Sequence, residues 1–146
     1  MQETGSPLTR EDVLVLLADG AQGPFPLDPV RLMKGAFLVT KRGRPEWKDL
    51  FDFEAYDYGP FDRDVYDARD TLVRKGLLTV AHRRYEEYRL SEAGVARANA
   101  LKAAHDASAG WISRVGRFVT TRSFRQLIEQ IYDEYPEYKI RSVYRS

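Results

Sequence analysis

The chain has 146 residues, 43% of them hydrophobic and 31% charged, enough to bury one substantial core without metal or disulfide support. It contains no cysteine, which excludes disulfides, thiolate metal sites and thiol nucleophiles together and is compatible with a reducing compartment. A formal net charge of +1 excludes a uniformly basic nucleic-acid binder, so any phosphate-binding surface has to be local.

No basic-then-apolar leader is visible, and no apolar run approaches the roughly 18 residues that suggest a membrane span, so the expectation is a soluble cytoplasmic protein with no membrane partner. Residues 1–8 read as a flexible N-terminus. Thr9 can cap a first helix carrying Val13, Leu14, Leu16 and Leu17, which Asp19 and Gly20 close. A connector rich in Gly and Pro leads to Asp28-Pro29, a cap followed by proline, and a second helix over Pro29 to Lys41. Its apolar stripe is Leu32, Met33, Ala36, Phe37 and Val39, with Arg31, Lys34 and Lys41 expected on the solvated side. Arg42 to Leu50 is a basic loop. Phe51 to Tyr56 then alternates apolar and polar residues, predicting a short strand able to pair with a later hairpin.

The best-defined stretch follows. Gly59-Pro60 reads as a turn and Asp62 as the cap of a helix from about Arg63 to Lys75, with Val65, Ala68 and Leu72 on its inner face and Lys75-Gly76 at its end. Leu77 to Ala81 is a predicted strand, Arg83 to Glu87 a polar turn, and Tyr88 to Leu90 the antiparallel return. Ser91 starts an alanine-rich helix through about Ala107, Gly110 is expected to interrupt it, and Trp111, Val115 and Phe118 resume it. Thr121 or Ser123 caps a last helix with the stripe Phe124, Leu127, Ile128, Ile131 and Tyr132, ended by Pro136. The predicted fold class is mainly α with a small antiparallel β-sheet. More finely, helix followed by hairpin predicts a winged helix-turn-helix over residues 9–107, with a C-terminal helical extension, 108–146, that packs on the core or forms a homodimer.

The string from Val30 to Leu78, with RLMKGAFLV on a helix, FEAYDYGPF before a helix, VY inside it and KGLL after it, resembles the YwgA-type and Panacea (SocA-like antitoxin) group of bacterial winged-helix proteins. YRLSEAG, Tyr88 to Gly94, is similar to the strand-into-helix exit of that group and of winged-helix regulators such as the PadR type. Gly35-Ala36 departs from the pattern, where larger aliphatic residues are expected, and predicts closer helix packing. The resemblance covers about half the chain and implies bacterial regulation, toxin neutralisation or phage defence, without implying a particular ligand.

In a winged helix that reads double-stranded DNA, the helix Arg63 to Lys75 enters the major groove. Its outward positions are Arg63, Tyr66, Asp67, Asp70 and Arg74, and from Asp62 to Lys75 four acids oppose four bases. That balance suits a phosphate backbone poorly. Positive charge lies elsewhere: Arg31 to Lys48 carries six cations against Glu46 alone, and Trp111 to Arg125 carries four arginines and no acid. The candidate nucleic-acid set is therefore Arg83 and Arg84 at the hairpin tip with Lys41, Arg42, Arg44, Arg114 and Arg117, whose convergence in space decides whether they form one surface. The alternative is an antitoxin-like or adaptor module gripping a protein such as a toxin through Tyr58, Arg63, Tyr66, Asp67, Asp70 and Arg74. The cluster Tyr56, Tyr58, Phe61 and Tyr66 either clamps the Gly-Pro turn onto the second helix or faces a partner.

Catalytic readings have little to stand on. His82 and His105 are the only histidines, expected at a strand end and on a wet helix face, without ligand spacing. No phosphate loop or nucleophile elbow occurs. Asp133 with Glu137, Tyr138 and Lys139 faintly resembles the acid-and-lysine pattern of metal-dependent nucleases, but flanks Pro136 rather than a strand. The expectation is a non-enzyme without cofactor or metal.

Overall fold

Five consecutive apolar residues, Val13 to Leu17, cannot all face one side of a helix, so the helix that carries them has to be surrounded. In the computed structural model, which describes residues 7–144, that helix is the axis of the molecule. α1 (Arg10–Gly20) starts in a reciprocal cap between Thr9 and Asp12, and each of those five side chains is at most 1% exposed. Burial of this kind stabilises by about 1.5–3 kcal/mol per large side chain. Leu8 is buried too, so the packed body begins inside the stretch the sequence assigns to the N-terminal tail, whose residues 1–6 lie outside the described residues.

α2 (Pro29–Arg42) follows, then a 3-10 turn (Pro45–Trp47), β1 (Glu54–Tyr56), β2 (Gly59–Phe61), α3 (Arg63–Arg74), β3 (Leu78–His82), β4 (Glu86–Leu90), α4 (Glu92–Ala104), α5 (Asp106–Thr120), α6 (Phe124–Glu134) and a second 3-10 turn (Pro136–Lys139). The described residues are mainly helical with two separate two-stranded antiparallel sheets. β3 and β4 pair from Leu78–Leu90 to His82–Glu86, the hairpin expected from the sequence. α3 begins at the Asp62 cap and buries Val65, Ala68 and Leu72, again as expected. α6 is capped by Ser123, with Gln126 returning the bond, and buries Leu127, Ile128, Ile131 and Tyr132.

Four expectations are corrected. β1 pairs with β2, Tyr56 facing Gly59, and not with the later hairpin, so the turn is at Asp57-Tyr58 and Gly59-Pro60 belongs to a strand. Gly59 sits at φ +110°, a conformation that glycine alone adopts without strain. The helix break falls at His105, between α4 and α5, and Gly110 lies inside α5. His105 is buried at that junction instead of lying on a wet face. Lastly, Arg31 and Lys34 are 5% and 2% exposed, on the inner side of α2.

The residues read as a C-terminal extension share the one core. Ala109, Ile112, Val115 and Val119 of α5 and Leu127 and Ile131 of α6 join the cluster built on α1. α5 crosses α1 at backbone contact, because an added Cβ at Gly116 would overlap the Leu17 carbonyl and one at Gly20 would overlap that of Ser113. Asp19 ties the crossing by accepting from Ser113 Oγ at 2.7 Å and Lys102 Nζ at 3.1 Å. At Gly35 a Cβ would stand 3.1 Å from Leu17 Cδ2, the close helix packing expected there.

Candidate functional site

The β1–β2 hairpin lies across α2 and is fixed to it from beneath. Lys34 Nζ donates to the Tyr58 carbonyl at 2.6 Å, and the Asp62 backbone N–H points at Met33 Sδ at 3.5 Å. Together they wall a cleft of about 240 Å³ lined by Val30, Met33, Lys34, the hairpin from Tyr56 to Phe61, and Tyr66. Burial pushes the Lys34 ammonium down to about 8, with the Asp28 carboxylate offsetting part of that shift. Sequence reading put Lys34 in solvent because charge usually marks the wet face. The available signal was its position, four residues from Val30 on one side and from Leu38 on the other, which places it on the apolar stripe.

From the cleft an aromatic and cationic chain runs onto α3. Tyr56 packs on Phe61 (5.1 Å between centroids) and Phe61 meets Tyr66 edge-on at 5.8 Å. Arg69 lies 4.6 Å over the Tyr66 ring and donates to Tyr88 Oη at 2.9 Å. Tyr88 Oη in turn donates to Glu86 at 2.9 Å, which joins α3 to β4. Burial raises the phenol pKa of both Tyr66 and Tyr88, with Arg69 opposing, so both rings stay neutral. Arg69, Tyr88 and Glu86 escaped the sequence reading, which had no means of seeing a contact between α3 and a strand 19 residues away.

Four of the six residues expected to contact a partner line two hollows, and the other two are exposed on α3. Tyr58 and Tyr66 line the cleft, and Tyr66 is half-buried, its hydroxyl 3.4 Å from the Pro29 carbonyl, instead of pointing outward. Asp70 and Arg74 line a shallower hollow with Arg69, Val73, Val80, His82 and Glu86. Arg63 and Asp67 are exposed on the same helix. At the other edge of the cleft Tyr56 is 42% and Tyr58 47% exposed, and Val143, 53% exposed, donates its N–H to the Asp57 carbonyl at 2.8 Å. Arg141 lies 5.8 Å over Tyr56. The result is an exposed aromatic and aliphatic patch with a cation on it, beside a mixed-charge helix.

The cations of the two basic segments and of the hairpin tip are carried by different elements. Arg31 pairs with Asp28 at 2.6 Å and donates to the Arg122 carbonyl, so it is structural. Lys41 lies over the rings of Phe37 and Tyr138, and Arg42 pairs with Glu134 and donates to Tyr135 Oη. Arg44 pairs with Glu46 and donates to Ser108 Oγ at 3.1 Å, where the first basic segment meets the start of α5 over the stacked rings of Trp47 and Trp111. Arg114 and Arg117 are exposed farther along α5. Arg83 and Arg84 are exposed at the tip of a hairpin that packs on α1, α3 and α4, whereas the cleft at Arg42 and Arg44 is built from α2, the first 3-10 turn and α5. Among the described residues no group of three His, Asp or Glu side chains is arranged to hold a metal, and no helix is long and apolar enough to cross a membrane.

No family model, curated protein or solved structure matches the chain.

Proposed function

We propose that the protein is a non-catalytic binding module of winged-helix type, akin to the YwgA-type and Panacea (SocA-like antitoxin) group, that grips a protein partner through the face from Tyr56 to Arg74. The observation that carries this reading is the exposed patch of Tyr56, Tyr58, Val143 and Arg141 at one edge of a cleft that Tyr66 of α3 also lines. Tyrosine and arginine are the residues that dominate binding energy at protein interfaces, and an aromatic patch rimmed by charge is their usual setting. Asp67→Lys combined with Asp70→Lys is expected to abolish partner capture with thermal unfolding unchanged within a few degrees. Undiminished capture by that variant contradicts the reading.

A second reading, binding to double-stranded DNA in a regulatory or phage-defence role, is favoured by Arg83 and Arg84, which are exposed at the hairpin tip and have no ion-pair partner among the described residues. It is weakened by the burial of Arg31 and Lys34 and by the ion pairs of Arg42 with Glu134 and Arg44 with Glu46. If DNA is the ligand, log affinity falls with log salt at a slope of about 0.9 per phosphate contacted. Replacing Arg83 and Arg84 by Ala then lowers both affinity and slope, and a flat salt response removes this reading.

A further inference from the structure

We propose that the cleft over Lys34 receives an acidic side chain of the protein partner, whose carboxylate pairs with the Lys34 ammonium. The proposal deepens the protein-partner reading and rests on it. An ammonium carries three N–H donors, and Lys34 uses one, on the Tyr58 carbonyl. The carboxylate best placed to balance it, Asp28, is occupied at both oxygens by Arg31: Oδ1 accepts from the Arg31 backbone N–H at 2.9 Å and Oδ2 from the guanidinium at 2.6 Å. No carboxylate among the described residues lies within ion-pair distance of Lys34 Nζ. A cation 2% exposed without a counter-ion is unfavourable, and a ligand carboxylate would supply both the missing charge and a further acceptor.

The dimensions select the occupant. About 240 Å³ is below the range of roughly 300–1,000 Å³ typical of sites for drug-sized ligands, and matches one inserted side chain. Val30, Met33, Pro60 and Phe61 offer apolar walls for methylene groups, while Lys34 supplies the cation. Position agrees, since the cleft opens beside the exposed Tyr56 and Tyr58 of the proposed partner-binding face. Among the described residues Asp57 is the one carboxylate in the lining; it is half-exposed and therefore screened, and its charge opposes an incoming anion.

The test uses the full chain and two peptides, acetyl-Leu-Glu-Leu-amide and acetyl-Leu-Gln-Leu-amide, with binding followed by NMR of the Lys34 side chain and the Gly59 amide. The glutamate peptide is expected to bind saturably and about tenfold more tightly than the glutamine peptide, the discrimination of one hydrogen bond to a charged group. Lys34→Met should remove that difference with the fold retained, because an apolar side chain of similar length suits the site. Asp57→Asn should tighten the glutamate peptide about twofold, by relief of a screened like charge. Equal binding of the two peptides, a preference that survives Lys34→Met, or binding of propionate with no binding of either peptide overturns the proposal. None of these readouts uses the natural partner, so failure here is distinguishable from failure of the α3 charge-reversal test.

Discussion

Lys34 concentrates most of the chemistry that this chain carries at a single residue. Its ammonium is buried, held by one carbonyl, and pushed down to about 8. The unfolded chain keeps the same proton to about 10.5, so between these two values the unfolded state binds more protons and stability rises with pH. The expected gain from pH 7.5 to pH 9 is about 1 kcal/mol, with a decline setting in near pH 10 as the unfolded chain ionises tyrosines that the fold keeps neutral. Urea unfolding across this range measures it, and Lys34→Met should abolish the rise while unfolding at pH 7 becomes harder. Gly59 is the neighbouring constraint. Its φ of +110° strains any side chain, and a Cβ there would stand 3.7 Å from Lys34 Nζ. Gly59→Ala should cost about 1–2 kcal/mol in the same measurement, chiefly through backbone strain.

Helix caps explain which elements the sequence could reveal. Thr9, Asp28, Asp62, Ser91 and Ser123 each accept a backbone N–H of the following first turn, and the five helices they start were legible from those residues. The β3–β4 hairpin was legible because its two strands are adjacent in sequence. α5 was not, since His105, the residue before its first turn, makes no side-chain cap bond, and Gly110 invited a break that the helix does not have. β1 was assigned the wrong partner because a strand of three residues carries too little pattern to fix its pairing. The basic face of α2 was misread for a related reason: periodicity locates a stripe, while the depth at which a lysine at its edge is buried depends on elements far along the chain. At the α1–α5 crossing the structure makes a sharp statement. Gly116→Ala forces apart two helices in backbone contact and should destabilise the protein by about 2–3 kcal/mol, whereas Gly110→Ala, whose added Cβ would meet only Arg114 Nη1 at an ordinary contact distance of 3.6 Å, should be neutral or stabilising.

Across the whole molecule, one core runs from Leu8 to Tyr138. α1 is its axis, and the later helices complete the enclosure. A chain ending at Ala107 lacks α5 and α6 and exposes the side of α1 that α5 covers. Such a fragment should lose cooperative thermal unfolding and bind hydrophobic dyes, while the full chain melts in a single transition. The same architecture arranges the surface. Burying Arg31 and Lys34 of α2 takes two cations away from the surface, while Tyr56, Tyr58 and the mixed charges of α3 stay exposed.

The central claim is that this face grips a protein. Its most direct test is capture by the immobilised full chain from an extract of the source organism, with and without nuclease, comparing the native sequence with the Asp67→Lys, Asp70→Lys double variant. The account predicts a defined protein partner retained after nuclease treatment and lost with the double variant. Capture that disappears with nuclease, or that the charge reversal leaves intact, would contradict it.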